Sequence, residues 1–144
     1  MSTQRIHSRA HVAVLTILLA AFVFRVLAQL VQFYSDVAWL PPFATWAAGG
    51  LPYQLLVTIQ VVIIAMALVA IRKLALGNLI PRRNWSFFLL SAGGVYFLAM
   101  AARLIAGATF LANNAWFAAS LPAVFHLVLA AFVLTLGHFH RSRS

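Results

Sequence analysis

The chain has no cysteine, no glutamate and one acidic side chain, Asp36. Without cysteine there is no disulfide, no thiolate metal site and no redox thiol, and thiol usage marks no compartment. Without a second carboxylate, neither a carboxylate pair for acid–base work nor an oxygen cage for a hard cation can be built. The phosphate-cradling glycine loop, the G-x-S-x-G nucleophile turn and the H-E-x-x-H zinc pattern are missing as well. These absences lean against an enzyme. Small four-helix exporters of cationic drugs need an intramembrane glutamate, and here the matching helix carries an arginine instead.

Charge of either sign is scarce. Charged residues make up 8% of the 144 residues and hydrophobic ones 65%, against roughly 25% and 45–50% in soluble domains. Such a chain cannot cover its own core with polar surface, so lipid must be its solvent. Four apolar runs, 12–33, 53–71, 85–111 and 116–136, match the ~20 residues that a helix needs to cross a bilayer. The expectation is therefore an all-α integral membrane protein, a single domain over 1–144. Its four transmembrane helices form two antiparallel hairpins.

The formal charge is +9, from ten Lys and Arg against the one acid. Nucleic acid is the usual reading of such an excess, but here the basic residues stand at the ends of apolar runs. Arg5 and Arg9 precede the first, Arg72, Lys73, Arg82 and Arg83 separate the second from the third, and Arg141 and Arg143 follow the fourth. Segments 34–52 and 112–115 contain no Lys or Arg. By the positive-inside rule both termini and the middle loop are cytoplasmic, in a bacterial inner membrane, and no nucleic-acid partner is implied. This one-sided bias also sets the chain apart from dual-topology channels. The first run has some features of a cleaved signal peptide, but Arg25 interrupts it and apolar residues resume to Phe33, so a retained span is expected.

The outer connection, 34–53, has turn chemistry of its own. Pro41-Pro42, then Phe43 and Trp46, then Gly49-Gly50 read as a short helix opened by proline and closed by glycine. Tyr34, Trp39, Trp46 and Tyr53 suit an aromatic belt at headgroup depth, so the helix is expected to lie on the interface. The competing reading is a lid over a site between the helices.

Polar residues inside the spans are the functional candidates, because hydrocarbon offers them no partner. Arg25, Gln29 and Gln32 recur at i, i+4 and i+7 on one helical face. The second run adds Gln60, the third Tyr96 and Arg103 on one face, and the fourth His126. Counted from the outer helix ends, Arg25, Gln60, Arg103 and His126 all come out about 10–15 Å deep. The candidate ligand-binding set is therefore Arg25, Gln29, Gln60, Tyr96, Arg103 and His126. One reading has both arginines snorkelling to phosphates. The other has an anion or carbonyl arriving from outside the chain: a lipid, a quinone, a haem propionate or a carboxylate on a partner subunit or second copy.

The leading expectation is an accessory or ligand-binding membrane subunit. The alternatives are a redox-linked protein in which His126 contacts haem or quinone, and a small oligomeric anion transporter. The other histidines, at 7, 11, 138 and 140, are at the cytoplasmic ends, so a two-histidine haem at the level of His126 is excluded. No metal site is expected, and no cofactor is identified.

Overall fold

The computed structural model describes residues 2–46, 51–114 and 118–143, and the side chains of 9–46, 51–114 and 118–142. Among the described residues all regular structure is helical. The elements are α1 (Ser2–Tyr34), α2 (Phe43–Trp46), α3 (Tyr53–Ala75), α4 (Arg83–Ala108) and α5 (Ser120–Arg143). Segments Arg9–Tyr34, Tyr53–Ala75, Arg83–Ala108 and Ser120–Ser142 are long and apolar enough to cross a membrane.

The helices overrun the apolar runs at the basic end, and α4 stops short of its run at the other. α1 starts at Ser2 and not at 12, α3 continues to Ala75, and α5 runs past 136 through His138 and His140 to Arg143. Hydrophobicity tracks the hydrocarbon, whereas a helix ends where its carbonyls find another partner. α3 shows this clearly. Gly77 takes φ +72°, the Asn78 N–H reaches the Lys73 carbonyl at 2.8 Å, and the Gly77 N–H reaches Leu74 at 3.1 Å. That is a Schellman closure, with glycine at the left-handed position. α4 ends at Ala108, and turns follow through residue 114. Trp116 and the pair Gly49-Gly50 lie outside the described residues.

The main packing runs α3 on α1, α1 on α5 and α5 on α4. α1 and α5 accordingly carry the largest buried share, and α3 and α4 flank them. Contacts pair early residues of one helix with late residues of the next: Gln29 with Gln60, His11 with His138, Ser86 with Gly137, Tyr96 with His126. α4 and α5 come close because glycines remove side chains at the crossing. A Cβ on Gly137 would sit 3.0 Å from Leu90 Cγ, and one on Gly93 3.1 Å from Leu134 Cγ. Small residues at such crossings are how helices gain van der Waals contact in lipid, where no hydrophobic drive exists between them.

The interior divides along its length. Toward the basic end it is apolar: Leu15, Leu19, Ala67, Leu74, Phe132 and Phe139 form one buried cluster. Toward the other end buried Arg25, Gln29, Gln32, Gln60 and Arg103 replace them. The site is in that second half.

Candidate functional site

α1 aims three polar side chains inward, and each meets a different environment. Gln29 is fully buried and accepts a hydrogen bond from Gln60 Nε2 at 3.3 Å. The pair ties α1 to α3 where lipid could not hydrate either amide. Gln32 sits at the helix exit, where its Nε2 donates to Asp36 Oδ1 and its Oε1 accepts from the Val37 N–H, both at 3.1 Å. The chain's one carboxylate is thus engaged by a glutamine.

Arg25 is 6% exposed. Snorkelling to the surface is not what its geometry shows. Its Nη2 donates to the Trp46 carbonyl at 3.3 Å, and its Cζ lies 5.7 Å from the Phe125 ring centroid. A cation over an aromatic face is attracted by the ring quadrupole, more so when water is excluded.

Trp46 departs from the expected belt. Tyr34 and Trp39 are exposed, but Trp46 is 3% exposed. Its ring stacks on Phe125 at 6.3 Å and its Nε1 donates to the Pro41 carbonyl at 2.9 Å. Pro41-Pro42 stiffens the chain just before α2, and the indole then reaches its partner within the same turn. α2 consequently folds inward over Arg25. Tyr53 stacks on Phe33 at 4.3 Å and makes an edge contact with Phe43.

Beneath α2 lies a cavity of about 320 Å³, walled mainly by apolar and aromatic side chains such as Phe22, Ile63, Pro122 and Leu129. Arg25, Tyr53, Gln60 and His126 supply its polar groups. Three buried polar atoms on these residues have no hydrogen-bond partner: Arg25 Nε, Tyr53 Oη and Gln60 Oε1. Buried polar groups are paired in the great majority of cases, so three on residues that line one cavity are not ordinary packing. A fourth such atom, Gln29 Nε2, belongs to the glutamine pair and not to the wall.

Tyr96 stands behind His126, outside the cavity lining. Tyr96 Oη and His126 Nδ1 are hydrogen-bonded at 2.6 Å. That bond holds the ring of His126 at the cavity. Arg103 is 5% exposed. Both arginines are within electrostatic range of His126 and of Tyr96. Measured from the helix ends, Arg25, Gln60, His126 and Arg103 lie about 14, 11, 9 and 8 Å inside. Arg103 is shallower than expected because α4 ends at Ala108.

Of the six sequence candidates, Arg25, Gln60 and His126 share the cavity, Tyr96 braces His126, Gln29 braces Gln60, and Arg103 is buried within electrostatic range of Tyr96. Sequence reasoning missed Tyr53, Trp46 and Phe125 as parts of the site. Tyr53 and Trp46 read as belt residues, and nothing distinguishes Phe125 from its apolar neighbours. Among the described residues no group of three His, Cys, Asp or Glu side chains is placed to hold a metal. No family model matches the chain, and neither a curated protein nor a solved structure matches it significantly.

Proposed function

We propose that this chain is a ligand-binding membrane protein whose cavity accepts the compact anionic or carbonyl head of an apolar molecule. The observation that carries it is the set of three unpaired polar atoms, Arg25 Nε, Tyr53 Oη and Gln60 Oε1, all on residues that line one cavity. A guanidinium in hydrocarbon is costly unless neutralised. Asp36, the only carboxylate side chain, is occupied at the helix exit. An oxygen from a carboxylate, phosphate or quinone-type carbonyl would take the Arg25 N–H. A hydroxyl on the same ligand would satisfy Gln60, and the apolar walls would hold its chain or ring. This assigns a role in binding or delivery, with the outer faces of α3 and α4 free for lipid or for a partner subunit.

The same proposal includes the finer topology. The four spans form two antiparallel hairpins, 9–75 and 83–142, with both termini and the 76–82 loop on the cytoplasmic side of a bacterial inner membrane. α2 lies at the outer interface as a cover for the cavity. The basic residues at one end support this orientation.

The test is extraction and mass spectrometry of apolar molecules that copurify with the protein. Wild type should carry an enriched species with a carboxylate, phosphate or carbonyl. Arg25→Leu should lose it, and so should Ile63→Phe, which fills the cavity without touching a polar group. If Ile63→Phe and wild type carry the same molecules in the same amounts, the cavity is not a ligand site.

A further inference from the structure

Toward the basic end the cavity under α2 continues as a narrow apolar slot of about 10 Å³, the space of one water-sized group. Phe22, Ile63 and Leu129 line both, and the slot runs on past Leu18, Ala67 and Phe132. Leu18 and Ala67 are each seven residues closer to the basic end than Arg25 and Gln60, and Phe132 is six closer than His126. On all three helices the slot therefore reaches roughly 9–11 Å below the polar residues. It exists because α3 and α5 each pack on α1, and the contact between them is slight by comparison. A cleft remains, with α1 as its floor and α3 and α5 as its sides. At the upper end Leu51 and Ile59 line the cavity and are 55% and 42% exposed. The cavity thus has a side open to the surroundings of the helices, which in a bilayer are lipid.

We infer that the ligand is a single-chain carboxylate, a long-chain fatty acid, with its carboxylate at Arg25 and its chain down the slot. This rests on the cavity reading above and names the class of molecule for it. Charge selects the head. Among the described residues of the lining, Arg25 is the one that always carries a charge, so one negative charge matches it. A neutral quinone would leave the guanidinium uncompensated in an apolar setting, which is costly. A carboxylate offers two oxygens, and two donors on the lining residues have no partner, Arg25 Nε–H and Tyr53 O–H. Such charge-assisted bonds are the strong ones. Gln60 Oε1 is left to the hydroxyl already assigned to it. Width selects the tail. The slot has space for one chain, and neither the second chain of a phospholipid nor a ring finds room there.

The experiment is native mass spectrometry of the detergent-solubilised full chain titrated with palmitate, methyl palmitate, decylubiquinone or dioleoylphosphatidylglycerol. Wild type should bind palmitate about tenfold more tightly than its methyl ester, the worth of one charge-assisted hydrogen bond. The quinone and the two-chain lipid should bind more weakly than palmitate. Head and tail then separate by variant. Arg25→Gln should lower palmitate about tenfold, to the level of the ester, and leave the ester unchanged. Ala67→Leu fills the slot without touching the head, so it should lower palmitate and ester alike by about tenfold. Val128→Phe fills the same slot from the half-buried side of α5 and should do the same if Ala67→Leu does not fold. Tighter binding of the quinone or the phosphatidylglycerol overturns this inference, as does a palmitate-to-ester ratio that survives Arg25→Gln. So does unchanged palmitate binding in the slot variants, or no palmitate binding by wild type. None of these results touches the broader cavity reading, which stands or falls on the molecules that copurify with wild type and Ile63→Phe.

Discussion

Three glycines allow the α4–α5 crossing to be tested one methyl group at a time. Gly94 has nothing within 4 Å of an added Cβ. Gly94→Ala should therefore gain the difference in helix propensity, up to about 1 kcal/mol. At Gly93 the added methyl meets only side-chain atoms, Leu134 Cγ and Val133 Cγ1 at 3.1 Å and Leu134 Cδ2 at 3.2 Å. Those atoms can give by a few tenths of an ångström, so the strain and the propensity gain should nearly cancel. At Gly137 the methyl meets Leu90 Cγ at 3.0 Å together with Leu89 Cβ and the Leu90 backbone nitrogen at 3.1 Å. A backbone atom yields only if the helices separate. Overpacking of this kind costs about 1–3 kcal/mol, and the propensity gain offsets about 1 of it. Gly137→Ala should consequently be about 2 kcal/mol less stable than Gly94→Ala, with Gly93→Ala between them. Unfolding in mixed micelles titrated with a denaturing detergent measures all three. If Gly137→Ala is as stable as Gly94→Ala, the crossing is not where the structure places it. The Tyr96–His126 contact, which depends on that crossing, would then fall too.

Other outcomes follow from single contacts. Tyr96→Phe removes the 2.6 Å bond and leaves His126 Nδ1 unpaired in a part-buried setting, which should lower stability by about 1 kcal/mol. A thermal melt indistinguishable from wild type would count against the bond. Trp46→Ala should cost about 3 kcal/mol, since a buried aromatic ring is lost, whereas Trp39→Ala, at a position 79% exposed, should change stability by less than about 0.5 kcal/mol. Equal effects in the two variants would mean that α2 does not fold inward. For topology, a reporter active only outside the membrane should work when fused after Trp46 or Asn113 and be silent after Ser144. Activity at Ser144 would reverse the orientation.

How much of this protein was readable without coordinates depended on the length scale of the interaction. Composition alone pointed to lipid as the solvent, because 65% hydrophobic residues leave too little polar surface to cover a core. Run length then gave four helices long and apolar enough to cross a membrane, and the i, i+4, i+7 spacing put Arg25, Gln29 and Gln32 on one face. These are properties of a single helix, and a helix is determined by its own residues. Which helix faces which depends on pairwise packing, and so on two glycines, Gly93 and Gly137, that carry no chemical signature. For that reason the sequence could place Gln29 on the inward face but could not name Gln60 as the donor to its Oε1. Trp46 is the clearest case. Its sequence context matches an interfacial belt, and its burial is decided by Phe125, 79 residues further along the chain. Arg25 was legible as a charge lacking a carboxylate, because counting acids needs no fold. That it lines one cavity with Tyr53 and Gln60, its Nε unpaired, was decided only when α1, α3 and α5 packed and α2 closed over them.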